Sequence, residues 1–207
     1  MKNSPLQSIC VYSGSSDDIH PVFLQGARNL GLLLAEKKIR LVYGAGKTGL
    51  MGAVAGGVLA GGGEVIGVVP ESLNQPQLIA TNLTGLEVCP DIQSRKKRMQ
   101  ELADGLIALP GGYGTFDELF EALTWAQIGI HTKPIGILNL EGYYDPFLTL
   151  VEHAGIEGFI YPEHKSLFVC SENATDLLLK METYLPPKNL HRWVSREDEH
   201  RERRSAG

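Results

Sequence analysis

The chain has 207 residues, 43% apolar and 21% charged, with a formal net charge of −5 at pH 7. That supports one globular domain with a real core and argues against a general nucleic-acid binder, which would show a basic face. No run approaches the about 20 uninterrupted apolar residues of a membrane span, and no basic start before an apolar stretch marks a signal peptide, so a soluble, cytoplasmic protein without a membrane partner is expected.

In chain order, Ile9 to Tyr12 is a short β-rich run ended by Ser13, Gly14 and Ser15. Phe23 to Lys37 repeats apolar residues at helical spacing (Phe23, Ala27, Leu30, Leu34). Arg40 to Tyr43 is a second strand, Gly49 to Leu59 a small-residue helix able to pack close to a sheet, and Val65 to Val69 a third strand. Residues 71 to 86 read as irregular, with Asn74, Pro76 and Asn82 as turn formers. A short strand at Leu86 to Cys89 precedes a helix from Asp91 to Ala103 with Asp91 as N-cap. Then come a strand at Leu106 to Leu109, a helix at Thr115 to Ile128, a strand at Ile135 to Leu140, a helix at Tyr144 to Ala154, a strand at Leu167 to Val169 and a helix at Thr175 to Tyr184.

Continuously apolar strands alternating with helices predict an α/β fold, a Rossmann-like open parallel sheet with helices on both faces. The catalytic domain is expected over residues 1–187, followed by a charged, flexible tail over 188–207. Cys10, Cys89 and Cys170 are far apart in apolar runs, without metal-ligand or redox spacing, and read as small buried hydrophobes; no metal site is expected.

Two strand–loop–helix junctions carry the chemistry: YGAGKTGLMG at 43–52 and LPGGYGTFDE at 109–118. A helix N-terminus offers unpaired N–H groups and partial positive charge, and glycines let the backbone approach an anion. In the first loop, Gly44, Gly46 and Gly49 satisfy G-x-G-x-x-G, but no acid stands properly placed after the next strand, and a Walker motif fails because position 41 is leucine. Its glycines have a second reading, a tight turn with close helix packing. In the second loop Gly111, Gly112 and Gly114 surround Tyr113, and Thr115 with Glu118 spells the capping box T-x-x-E. Glu118 is therefore either a helix cap or a catalytic carboxylate, and spacing does not separate the two.

On the helix from Asp91, Arg95 lies on the same stripe as Ile92, Met99 and Leu102. A core-facing stripe carries a guanidinium only where something anionic meets it or where its stem reaches water. The neighbours Lys96, Lys97 and Arg98 read as a solvated basic face.

S-R-K-K-R-M at 94–99 followed by P-G-G-Y-G-T-F-D-E at 110–118 resembles the cytokinin-activating phosphoribohydrolases of the Lonely Guy family, formerly mislabelled as lysine decarboxylases. The resemblance runs from about residue 8 to about 184 and includes VYGAGKTGLMG and VIGVVPESL. It implies a dimeric enzyme without cofactor or metal that hydrolyses the N-glycosidic bond of a nucleoside 5′-monophosphate, AMP or a cytokinin riboside monophosphate. By the same resemblance Arg95 and Glu118 are catalytic. Lys96, Gly111, Gly112, Tyr113, Gly114, Thr115 and Thr124 contact phosphate and ribose, beside Gly44 and Gly46 of the first loop. The chain departs from the family's usual pattern at Gln93, where His is common, at Gln77, and at Ala45 within the first glycine run. Two other readings stand beside this one: a non-catalytic nucleotide-binding or sensing protein, and a pyridoxal-dependent lysine decarboxylase.

Overall fold

The computed structural model describes residues 5–188 and 190. Seven strands form one sheet: β1 (Ser8–Tyr12), β2 (Arg40–Tyr43), β3 (Val65–Pro70), β4 (Gly85–Cys89), β5 (Gly105–Ala108), β6 (Ile135–Leu138) and β7 (Val169–Ser171). Among the described residues there are six α-helices: α1 (Pro21–Glu36), α2 (Gly49–Ala60), α3 (Ile92–Glu101), α4 (Tyr113–Gln127) and α5 (Asp145–Ile156) between strands, and α6 (Ala174–Glu182) after β7. The strand order is β4-β3-β2-β1-β5-β6-β7, and every pairing is parallel. The α/β expectation holds, including the parallel sheet.

Alternation along each strand sorts the core into two layers. On β1, Ile9 and Val11 join α1, α2 and α6 through Leu30, Val54 and Leu177, whereas Cys10 and Tyr12 join α3 and α4 through Met99, Leu119 and Ala122. The direction of winding reverses at β1, which pairs with β2 on one side and β5 on the other, Val11 standing opposite both Tyr43 and Ile107. Such a switch point opens a crevice at the carboxyl ends of the strands, where ligands of this architecture bind.

Several expected boundaries move. β6 stops at Leu138, because the Asn139 amide bonds the Asp145 carboxylate at 2.8 Å and its carbonyl oxygen accepts from the Tyr144 N–H at 2.7 Å, turning the chain. The last strand starts at Val169 rather than Leu167, after a 3₁₀ turn over Pro162–Ser166. The small residues of α2 serve its crossing with α1 rather than the sheet: a Cβ on Gly57 would lie 2.3 Å from the Arg28 carbonyl. Cys10 and Cys89 are buried and Cys170 half-buried, all free thiols. Of the expected charged tail, only Lys188 and Leu190 are described, and Leu190 is buried against the α3–α4 layer; the rest lies outside the described residues.

Candidate active site

A cavity of about 590 Å³ occupies the crevice over β5, β1, β2 and β3. Its volume falls in the range of small-molecule sites.

One end is the start of α4. The helix begins at Tyr113 with Gly112 as N-cap, and no side chain caps it. The capping box of Thr115 and Glu118 is therefore not formed: the helix starts two residues before Thr115, which puts Glu118 well inside it and out of reach of the N-cap. The first-turn N–H groups of an α-helix have no partner within the helix. Gly112, Tyr113, Gly114 and Thr115 all line the cavity. A Cβ at Gly112 or Gly114 would meet nothing within 4 Å, so this backbone is open to an incoming group. Gly111 borders a neighbouring apolar hollow, beside Phe23 and Tyr143.

The middle is set by α3. Asp91 caps it, its carboxylate accepting from the Ser94 N–H at 2.7 Å. This fixes the helical register so that Ile92, Arg95 and Met99 face the cavity. Arg95 Nε donates to the Val68 carbonyl at 3.2 Å, and Nη1 donates to Glu118 Oε1. Both side chains are nearly buried, 12% and 10% exposed. The guanidinium on the apolar stripe thus meets a carboxylate rather than snorkelling to water. Gly44 makes room for it, since a Cβ there would lie 2.0 Å from Arg95 Nη2. Burial pushes the Glu118 carboxyl above its ordinary range, and the Arg95 guanidinium pulls it back only in part.

The other end is apolar. Val69, Leu73, Leu78, Ile79 and Ile92 line it. The stretch expected to be irregular over 71–86 holds a 3₁₀ turn at Glu71–Leu73 and enters β4 already at Gly85; between them it is pinned by backbone bonds to the first glycine loop, Lys47 N–H to Leu78 O at 3.1 Å and Ala80 N–H to Ala45 O at 3.0 Å. The sequence offered a signal for this wall, three large aliphatic residues among turn formers, but no periodicity to place them.

The first loop differs from expectation. Gly44 and Gly46 line the cavity. The start of α2, however, is already occupied: Gly49 N–H donates to the Asp17 carboxylate at 2.7 Å and Met51 N–H to the Gly14 carbonyl at 3.2 Å. A turn and close packing account for Gly49, at φ +58°. Asp17 had no pattern to mark it.

Lys96 is not on a solvated face. It is 4% exposed, and its ammonium bonds Asp117 at 2.8 Å and Glu121 at 3.0 Å on α4. It does not line the cavity, nor does Thr124, an exposed residue whose hydroxyl donates to the Phe120 carbonyl at 2.7 Å. No lysine is among the lining residues, and the described residues contain no cluster of potential metal ligands.

An open parallel sheet with an uncapped helix start, a buried carboxylate–guanidinium pair and an apolar wall at its switch point defines an α/β protein with a candidate small-molecule site in the crevice over its strands. Comparison with known proteins narrows this. The profile of the family described as "Possible lysine decarboxylase" matches residues 51–181. A cytokinin riboside 5′-monophosphate phosphoribohydrolase of Arabidopsis thaliana is 44% identical over 183 residues, 88% of this chain and 84% of the relative. One from Oryza sativa subsp. japonica is 43% identical over 185 residues, 89% of this chain and 76% of the relative. The chain belongs to this family. Among solved structures, the molybdenum cofactor carrier protein of Chlamydomonas reinhardtii superposes with a TM-score of 0.63 at 21% identity, covering 86% of this chain and 95% of that one. The molybdenum cofactor binding protein of Rippkaea orientalis gives 0.64 at 22%, covering 88% and 100%. At that identity the likeness establishes the fold.

Proposed function

We propose that the protein hydrolyses the N-glycosidic bond of a nucleoside 5′-monophosphate, AMP or a cytokinin riboside monophosphate, to the free base and ribose 5-phosphate. The observation that carries this reading is the Arg95–Glu118 pair, buried in a cavity whose adjoining wall is the uncapped start of α4. The 5′-phosphate sits on the open N–H groups of Gly112 to Thr115, where the helix end favours an anion. Arg95 fixes the sugar with its planar fork. Glycosidic cleavage places positive charge on the ribose, which a carboxylate stabilises while taking the proton of the attacking water. The water oxygen bonds to C1′ as one of its protons goes to Glu118; the electrons of the broken C1′–N bond leave with the base, which takes up a proton from solvent as Glu118 releases its own. The raised affinity of Glu118 for protons suits this role.

The apolar wall of Leu73, Leu78 and Ile92 supports the cytokinin nucleotide over plain AMP. From the end of β5, beneath the phosphate site, to the end of β3, beneath the apolar wall, is three strand spacings, about 14 Å. A nucleotide that spans that distance places its base against Leu73, Leu78 and Ile92, which suits an apolar substituent on the base. A decarboxylase working through a lysine imine would need a lysine in the cavity, and none lines it. The proposal includes a homodimer, with Trp125 and the exposed Ile128 near the end of α4 as interface residues, in a cytosolic setting.

Incubation with a panel of nucleoside 5′-monophosphates, assayed for free base and ribose 5-phosphate, tests the activity, with the matching nucleosides as controls. Glu118→Gln is expected to lower turnover by roughly 10² or more with the fold intact. An unchanged rate sinks the assignment of Glu118, and tight nucleotide binding without release of base leaves a binding protein instead.

A further inference from the structure

We propose that Lys96 is a positioning residue for this reaction: clamped between Asp117 and Glu121, it locks α3 to α4 and balances the charge of the carboxylates that flank Glu118. The proposal rests on the hydrolase reading above.

The geometry is a double clasp. Two consecutive cations on α3, Arg95 and Lys96, meet three carboxylates on α4, Asp117, Glu118 and Glu121. Arg95 takes Glu118 from inside the cavity. Lys96 takes the residue before Glu118 and the residue one turn after it, from outside the cavity. Of these partners, Asp117 is solvated at 59% side-chain exposure, but Glu121 is only 18% exposed, and its Oε1 is buried without a hydrogen-bond partner. Lys96 is thus the neutralising charge for a carboxylate that has little water. The groups facing Glu118 from the sheet, Cys10 and Tyr12 on β1, are held protonated by burial and supply no positive charge. Without Lys96, Arg95 alone would face three carboxylates, two of them poorly solvated.

Charge balance fixes the direction of the effect. Lys96 favours the ionised form of Glu118, and Asp117 disfavours it. Loss of Lys96 therefore raises the proton affinity of Glu118, protonates it at a higher pH and weakens its bond to Arg95. The hydrogen bonds to Asp117 and Glu121 in turn hold Lys96 above its ordinary value against the opposing effect of burial, so it stays charged throughout the working range.

Lys96→Met and the double variant Lys96→Met/Glu121→Gln separate this role from direct contact with substrate. In Lys96→Met, kcat near neutral pH is expected to fall about tenfold, its acidic limb to move to higher pH, and KM to stay within about twofold. Removing Glu121 as well takes away the poorly solvated carboxylate left unbalanced, so the double variant recovers most of the kcat above the limb, while the limb itself, which answers to Lys96 and Asp117, stays displaced. A large rise in KM with the limb unmoved, persisting in the double variant, would show that Lys96 binds the nucleotide and would overturn the proposal. So would wild-type kinetics in Lys96→Met. If Lys96→Met does not fold, the double variant carries the test alone: near-wild-type kcat and KM support the clamp, and a raised KM refutes it. Infrared difference spectra of carboxyl protonation, assigned with Glu118→Gln, follow the same titration without turnover. A protein in which Lys96→Met shifts that band but no nucleotide is cleaved would retain the clamp and lose the hydrolase reading.

Discussion

Residues 43–52 and 109–118 have the same outline: an apolar strand, a run of glycines, a helix. They end up doing opposite things. In the first, the protein itself uses the helix start, through the Asp17 carboxylate on Gly49 N–H and the Gly14 carbonyl on Met51 N–H. In the second, Gly112 is the N-cap, no side chain reaches back, and the space over Gly112 and Gly114 is empty. A glycine run reports only that something comes close to the backbone. Whether that something is a ligand or the chain depends on who already holds the N–H groups. An anionic residue at one helix start also makes it a poor site for a phosphate, which leaves the other as the place where charge and open donors coincide.

The comparison breaks most visibly at Gly44, whose work is internal. Gly44→Ala puts a methyl group 2.0 Å from Arg95 Nη2, so the guanidinium must leave Glu118 or the loop must move. Displacement of a catalytic group by about 1 Å costs on the order of 10²-fold. We expect kcat/KM to fall by about that factor while thermal unfolding shows a folded protein; near-normal kinetics would mean that Arg95 need not sit where it does. Gly114 sharpens the other side. Its added Cβ meets no protein atom, and Ala is favoured over Gly in a helix by up to about 1 kcal/mol. Gly114→Ala should therefore raise the melting temperature slightly. If a phosphate rests on this turn, the same methyl crowds it, at a cost on the order of 1–3 kcal/mol, or about fivefold to over a hundredfold in nucleotide Kd by calorimetry. Improved stability with unchanged affinity would move the phosphate elsewhere.

These outcomes bear on what could be read from the sequence. The sheet was legible because β5 and β6 are apolar throughout and β1 and β2 are apolar after their first residues, Ser8 and Arg40, as parallel strands covered on both faces must be. Arg95 was legible because a guanidinium on an apolar stripe demands an anion. Glu118 was only half legible. T-x-x-E fits a cap, and what decides against it is that Gly112 lets the helix start two residues early. Lys96 was misread for a different reason: helical periodicity sees one helix, and its partners Asp117 and Glu121 belong to another. Asp17 carried no signal, and the wall of Leu73, Leu78 and Ile79 only that of aliphatic residues among turn formers, since the placement of both depends on long-range hydrogen bonds rather than on a repeating pattern.

The smallest effect is the one that separates the two loops most directly. Asp17→Asn keeps an oxygen able to accept from Gly49 N–H and removes the negative charge at the start of α2. A charge favourable to a helix end contributes about 0.3–1 kcal/mol at low ionic strength. Urea unfolding should show a loss of that size, shrinking as salt is added, with nucleotide affinity unchanged. If α2 were instead a second seat for the phosphate, Asp17 would be repelling the ligand, and the same substitution would tighten binding severalfold. Tighter binding without the stability loss would therefore show that the first loop is held back by one carboxylate rather than committed to packing, and that the two loops are alternatives for the same anion.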